Sequence, residues 1–123
     1  MSSTKSILIL EDNIDSRELF GEILRDENYV VIETEDGQDA LNYLRTHETP
    51  PDLILMDLTF PHMSASQFVD ELLAEAKWQD IPLIVVSGQV DTQEQAIKLN
   101  AKGFLKKPFD INQFVRTIRE VSF

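Results

Sequence analysis

Five short segments of apolar, mostly branched residues recur along the chain and leave few folds open to it. They occupy residues 6–10, 29–34, 53–56, 83–86 and 104–105. Several are continuously apolar rather than alternating, which is typical of strands in a parallel sheet that is covered on both faces. We therefore predict five buried strands.

Each apolar segment is followed by a stretch with helical spacing of its apolar residues. The spaced positions are Leu19, Phe20, Ile23 and Leu24; Ala40, Leu41 and Leu44; Phe68, Val69, Leu72 and Leu73; Ala96 and Ile97; and Ile111, Phe114, Val115 and Ile118. Ser64 and Gln67 are spaced as a capping box, and Asp91 and Asp110 stand at helix-start positions. The pattern indicates five helices.

Strand and helix alternate five times, which predicts an α/β fold with a doubly wound, five-stranded parallel sheet and five flanking helices. The 123 residues contain no linker, repeat or low-complexity tract. We expect residues 1–123 to form a single domain.

Composition excludes several classes of function. The chain has no cysteine, so it forms no disulfide or thiolate metal site. A net charge of −11 repels phosphate backbones and argues against direct binding of nucleic acid. The first apolar run is too short for a membrane span or a signal-peptide core. We expect a cytoplasmic protein without a membrane contact.

Polar residues follow four of the predicted strands. They are Glu11 and Asp12 after the first strand, Asp57 after the third, Ser87 after the fourth and Lys107 after the fifth. In an open parallel sheet the carboxyl ends of the strands meet at one edge, where ligands bind. We therefore expect these side chains to form one site.

Carboxylates gathered at one edge raise one another's pKa unless a cation compensates their charge. A hard divalent cation such as Mg²⁺ prefers carboxylate, carbonyl and water oxygens. We predict Asp12, Asp57 and the backbone carbonyl of Thr59 as direct ligands, with Glu11 acting through water.

The same edge has the groups that phosphoryl transfer needs. The Asp57 carboxylate can attack phosphorus and form an acyl phosphate. Lys107 supplies a compact positive charge for a phosphoryl oxygen, and Ser87 supplies a hydroxyl donor. Little else is required beyond positioning and charge neutralisation.

Four sequence patches resemble the signature patches of response-regulator receiver domains over nearly the whole chain. They read ILILEDN at 7–13, LILMD at 53–57, SG at 87–88 and KPF at 107–109. The resemblance implies a flavodoxin-like fold with strand order 2-1-3-4-5. It also implies a cis peptide bond between Lys107 and Pro108.

By the same resemblance, Asp57 is the phosphoacceptor, Glu11 and Asp12 form the acidic pair with Mg²⁺ or Mn²⁺, and Lys107 is the site lysine. Ser87 is the switch hydroxyl and Phe104 the aromatic switch residue. A histidine kinase or histidine phosphotransfer protein then supplies the phosphoryl group, and a downstream protein reads the state. Such a domain is a phosphoacceptor with slow dephosphorylation rather than an enzyme.

Simpler interpretations remain for individual residues. Asp12 and Asn13 are also suited to capping the first helix, and Phe104 to being ordinary core. The segment at 60–65 departs from the family pattern, with Ala65 where glycine is common, which stiffens the loop.

Three other functions compete with the phosphoacceptor. A flavin or nucleotide binder is disfavoured, since Glu11 and Asp12 repel an anion after the first strand. An aspartate-nucleophile phosphatase needs a second aspartate at the position of Thr59. The serious alternative is a pseudo-receiver scaffold that works through protein contacts without phosphorylation.

Overall fold

A computed structural model describes residues 4–59 and 62–121 of the chain, in which strands and helices alternate. The strands are β1 (Ser6–Leu10), β2 (Val30–Thr34), β3 (Leu53–Asp57), β4 (Leu83–Ser87) and β5 (Gly103–Lys106). The helices are α1 (Ile14–Asp26), α2 (Gly37–Thr46), α3 (Ala65–Leu73), α4 (Thr92–Lys98) and α5 (Ile111–Glu120). None of the helices among the described residues is long and apolar enough to cross a membrane.

The five strands form one parallel sheet in the order β2-β1-β3-β4-β5, which confirms the predicted topology. Leu10 is paired with Met56, Asp57 with Val86, and Ser87 with Lys106. This register brings the carboxyl ends of β1, β3, β4 and β5 to the same edge of the sheet. The polar residues that follow these strands therefore share one location.

The core lies on both faces of the sheet. Strands β3 and β4 are buried along their whole length, as their continuous apolar character predicts. Alternate residues of β1 face opposite sides. Ile7 and Ile9 pack with residues of α1 and α5, whereas Leu8 and Leu10 pack with residues of α2 and α3.

Two of the predicted helix starts are confirmed. The Ser64 side chain accepts a hydrogen bond from the Gln67 backbone at 3.1 Å, and the Gln67 side chain accepts one from the Ser64 backbone at 2.8 Å. The Asp110 side chain accepts one from the backbone of Gln113 at 2.7 Å. These bonds satisfy amide groups that have no partner within the helix.

Asp91 occupies the predicted position at the start of α4, but the capping hydrogen bond expected from its side chain is absent. The side chain instead accepts a hydrogen bond from the Gln95 side chain at 2.9 Å. The backbone of Asp91, with φ −96° and ψ 24°, is not in the extended conformation that directs a capping side chain to the first amides.

Helix α5 allows a direct test of the core. Phe114 is fully buried beside Phe20, with ring centroids 5.2 Å apart, whereas Ile111 on the same helix is 58% exposed. We expect Phe114→Ala to lower the free energy of unfolding by about 3–5 kcal/mol, because it removes buried apolar area and leaves a cavity. Ile111→Ala, the matched control, should change it by less than about 0.5 kcal/mol. Urea denaturation measures both, and equal losses would contradict the assigned packing.

Candidate functional site

Polar side chains that follow β1 or end β3 and β4 are buried at the carboxyl edge of the sheet. Glu11 is 2% exposed, Asp57 is 6% exposed and Ser87 is 3% exposed. Burial of a carboxylate is costly unless a partner compensates its charge. Two buried carboxylates side by side therefore indicate a site with a purpose beyond packing.

Lys107 is the positive partner of both carboxylates. Its Nζ donates a hydrogen bond to Asp57 Oδ2 at 2.8 Å and lies 3.7 Å from Glu11 Oε1. Burial lowers the pKa of the Lys107 ammonium, but the hydrogen bond and the negative charges of Asp57 and Glu11 outweigh burial and raise the pKa above its ordinary value. Lys107 is therefore charged at neutral pH. The Lys107-Pro108 peptide bond is cis, as the resemblance implies.

The Asp57 carboxylate is held at both oxygens. Oδ2 accepts the bond from Lys107, and Oδ1 accepts one from the backbone N–H of Thr59 at 2.8 Å. The next backbone amide, that of Leu58, donates to the carbonyl of Val86 at 2.9 Å, which fixes the end of β3 against β4. Asp57 is thus oriented before any ligand arrives.

The Glu11 carboxylate has fewer hydrogen-bond partners than the Asp57 carboxylate. Oε2 accepts a hydrogen bond from the Asn13 backbone at 3.3 Å, while Oε1 accepts none from any described residue. Burial, followed by the negative charge of Asp57, raises the pKa of Glu11 from 4.5 to about 7. One ammonium does not compensate two buried carboxylates, and the Oε1 atom without a hydrogen-bond partner suits a cation.

The structure places Asp12 differently from Glu11 and Asp57. Asp12 is exposed, and Asn13 caps α1 by accepting a hydrogen bond from the Ser16 backbone at 2.9 Å. Across residues 4–59 and 62–121, no three Asp, Glu or His side chains stand together as a ready metal site. The side chains brought together are those of Glu11 and Asp57. This set still fits Mg²⁺, which usually takes one or two carboxylates and completes its shell with water.

Ser87 is held by the loop that follows β4 and by the loop that follows β5. Its Oγ accepts a hydrogen bond from the Gln89 backbone at 3.0 Å, and its carbonyl accepts one from the Lys107 backbone at 2.8 Å. Because the hydroxyl oxygen accepts from Gln89, its hydrogen is available for donation toward the site.

Phe104 lies at the surface of β5. Its side chain is 38% exposed and belongs to neither core cluster, so the interpretation of Phe104 as ordinary core is wrong. It lines a surface cavity of about 510 Å³ together with Ile97 of α4 and Thr117 of α5. The ring therefore has neighbouring space and no tight packing on all sides.

The segment after Asp57 is only partly described. Phe60 and Pro61, which belong to the segment that departs from the family pattern, lie outside the described residues. Thr59 is exposed, and His62 adopts a left-handed φ of 71°. Ala65 is the first residue of α3, where alanine is favourable for a helix.

Arg17 is a site residue that the sequence predictions missed. Its Nη1 donates a hydrogen bond to the backbone carbonyl of Glu11 at 2.8 Å. The available signal was its spacing, because Arg17 shares one side of α1 with the buried residues Phe20, Gly21 and Leu24. A charged residue on an otherwise buried helix face needs a partner, and here the partner is the Glu11 backbone.

A family model described as the response regulator receiver domain matches residues 7–119. The chain belongs to the response regulator receiver domain family. This receiver domain is 31% identical over 118 residues to the polar-differentiation response regulator DivK of Brucella ovis, a match that spans 94% of both chains. The same identity and coverage hold for DivK of Brucella abortus.

Solved structures agree with the fold of this receiver domain. Chemotaxis response regulator CheY4 of Vibrio cholerae superposes with a TM-score of 0.87 at 23% identity, covering 98% of this chain and 100% of that one. The receiver domain of sensor histidine kinase PA1611 from Pseudomonas aeruginosa has a TM-score of 0.82 at 25% identity, covering 96% and 97%. That structure has a magnesium ion coordinated in its active-site cleft.

Membership of the family gives the broad role of the chain. Receiver domains are signalling phosphoacceptors of two-component regulatory systems and not typical enzymes. They bind Mg²⁺ in their active sites and interact with histidine kinases or phosphotransfer proteins.

Glu11 makes the stability of the metal-free protein depend on pH. Its pKa in the folded state, about 7, exceeds the ordinary value of 4.5, so the folded protein binds the extra proton and loses stability as pH rises between these values. In EDTA at about pH 8, we expect Glu11→Gln to raise the free energy of unfolding by about 1–2 kcal/mol. The gain should shrink at about pH 5, where the native carboxyl is protonated.

Urea denaturation at the two pH values measures this difference. Glu18→Gln, at an exposed position on α1, is the matched control and should give no comparable gain. A Glu11→Gln gain that is the same at both pH values would show that the buried charge is not its cause.

Proposed function

We propose that Asp57 accepts a phosphoryl group from a phosphohistidine on a histidine kinase or histidine phosphotransfer protein, and that the phosphorylated domain signals to a downstream protein through protein contacts. The observation that carries the proposal is the Asp57 carboxylate itself. It is buried beside Glu11 and oriented by Lys107 Nζ and the Thr59 amide, each at 2.8 Å.

In the proposed reaction a carboxylate oxygen of Asp57 attacks phosphorus while the bond from phosphorus to the histidine nitrogen breaks. The electron pair of that bond stays on the imidazole, and an acyl phosphate forms on Asp57. Lys107 is positioned to contact a phosphoryl oxygen, since it already lies against the acceptor carboxylate. This role needs charge and position and no transfer of a proton by Lys107.

A divalent cation, Mg²⁺ or Mn²⁺, fits the donor set and would neutralise charge that builds up on the phosphoryl oxygens. Asp57, Asp12 and the Thr59 carbonyl are the proposed direct ligands, with Glu11 acting through water. The raised pKa of Glu11 and its Oε1 atom without a hydrogen-bond partner support a cation at this position.

Ser87 and Phe104 are the proposed switch residues. A phosphoryl group adds close to two negative charges and strong acceptor oxygens, which attract the Ser87 hydroxyl. Movement of Ser87 leaves space toward which the half-exposed Phe104 ring turns. The surface formed by α4, β5 and α5 then changes shape, and a partner reads that surface.

We further propose that residues 1–123 form one receiver domain that acts in the cytoplasm, away from nucleic acid and membrane. The net charge of −11 supports a protein partner over a phosphate backbone. No observation on the described residues favours the phosphorylation-independent scaffold. A scaffold role would also leave the burial of Glu11 and Asp57 unexplained.

Mass spectrometry tests phosphoryl acceptance directly. After incubation with Mg²⁺ and acetyl phosphate, we expect the protein to gain the mass of one phosphoryl group, because the buried Asp57 carboxylate is already oriented for attack. Asp57→Asn should abolish the gain. Asp36→Asn, which changes the aspartate that caps α2, should preserve it. A protein that gains no mass, while a known receiver does under the same conditions, would favour the scaffold.

The switch has a separate test by NMR. We expect phosphorylation to shift the ring resonances of Phe104, and Ser87→Ala to accept the phosphoryl group without that shift, because no hydroxyl remains to move. Ser87→Thr keeps the hydroxyl and should restore the shift. A full Phe104 shift in Ser87→Ala would remove Ser87 from the switch.

A further inference from the structure

Arg17 is unusually well covered for an arginine on an outer helix. Its side chain is 15% exposed, against 52% for Arg25 two turns further along α1. The Arg17 guanidinium has two contacts. Nη1 donates to the Glu11 carbonyl at 2.8 Å, and Nε lies 3.7 Å from Glu33 Oε1 on β2. The side chain therefore joins α1, the end of β1 and β2.

The contact with Glu11 matters because it completes the restraint of one backbone segment. The Glu11 amide donates to the carbonyl of Thr34 at 3.1 Å, and the Glu11 carbonyl accepts from Arg17. A peptide unit is planar, so fixing the Glu11 carbonyl also fixes the amide of Asp12 and the direction in which the Asp12 Cα follows. Arg17 thus restrains the connection between the two acidic residues.

We propose that Arg17 is a positioning residue for the cation site. By holding the peptide between Glu11 and Asp12, it would fix the point from which the exposed Asp12 side chain departs, next to Glu11 and Asp57, the carboxylates to which the cation is assigned. Arg17 does not touch the cation or the phosphoryl group. This inference rests on the proposed function only through the assignment of the cation to these carboxylates.

Glu33 provides the second half of the restraint. It pairs with Arg17 on one side and with Arg25 Nη2 at 2.9 Å on the other. Gly21 leaves room for this arrangement, since a Cβ at Gly21 would lie 3.0 Å from Arg25 Nη1 and 3.1 Å from Glu33 Oε2. Arg25 therefore shares Glu33 with Arg17, while the bond to the Glu11 carbonyl belongs to Arg17.

This difference makes Arg25 the matched control. We expect Arg17→Gln to weaken Mg²⁺ binding about tenfold, the usual scale for groups that orient metal ligands. Arg25→Gln should change the affinity less than about twofold, because the Glu11 peptide keeps its restraint. Arg17→Lys, which keeps a charged donor but loses the second arm of the guanidinium, should recover part of the loss. Isothermal titration calorimetry with MgCl₂ on the full chain measures all four affinities.

A second background separates positioning from general loss of structure. If Arg17 acts through Asp12, Arg17→Gln should add little to the weakened Mg²⁺ affinity of Asp12→Asn. Thermal unfolding of each variant in EDTA reports any loss of fold independently. Equal Mg²⁺ affinities in Arg17→Gln and Arg25→Gln, or additive losses in the double variant, would overturn the proposal.

The results that would overturn the positioning role of Arg17 differ from the results that would overturn the proposed function. A protein that binds Mg²⁺ with the expected dependence on Arg17, yet gains no phosphoryl mass, keeps the positioning role and loses the phosphoacceptor role. A protein that is phosphorylated, but whose Mg²⁺ affinity does not change when Arg17 is replaced, keeps the phosphoacceptor role and loses the positioning role. Absence of Mg²⁺ binding by the unaltered protein would overturn the positioning role together with the cation assignment.

Discussion

The arrangement of one ammonium against two buried carboxylates governs the chemistry of this domain. Lys107 bonds directly to Asp57 and lies further from Glu11, so the two acids are compensated unequally. Asp57 is left oriented by two donors, whereas Glu11 has a raised pKa and an oxygen without a hydrogen-bond partner among the described residues. The imbalance gives each acid a different capacity: one is oriented for attack on phosphorus, and the other is suited to a cation.

The sheet produces this arrangement through register rather than through local sequence. Asp57 and Lys107, which are 50 positions apart, meet because parallel strands end at a common edge. Backbone bonds continue the ladder just past the strands, from Leu58 to Val86 and from Lys107 to Ser87. The site residues are therefore anchored to the most buried part of the molecule. Their exposed surroundings, including Thr59, are loops with fewer restraints.

Sequence reasoning recovered the fold because its signals are strong and local. Continuous apolar runs and the regular alternation of strand and helix predicted a parallel sheet, and the family patches implied its strand order. The observed strand order is the same, and it brings together the ends of the strands that Glu11, Asp57, Ser87 and Lys107 end or follow. The capping role of Asp91 failed because it depends on backbone angles that residue type does not fix. The pKa of Glu11 and the role of Arg17 depend on distances across separate elements, which periodicity does not report.

The two-sided burial of the sheet has a consequence for how such a domain diversifies. Substitutions on the outer faces of the helices leave the strand ends in register, so the surfaces offered to partners can drift while the chemistry stays constant. Because the buried strand ends hold the reaction centre, the choice of partner is left to the exterior, and domains of this kind can share one chemistry while different partners recognise them.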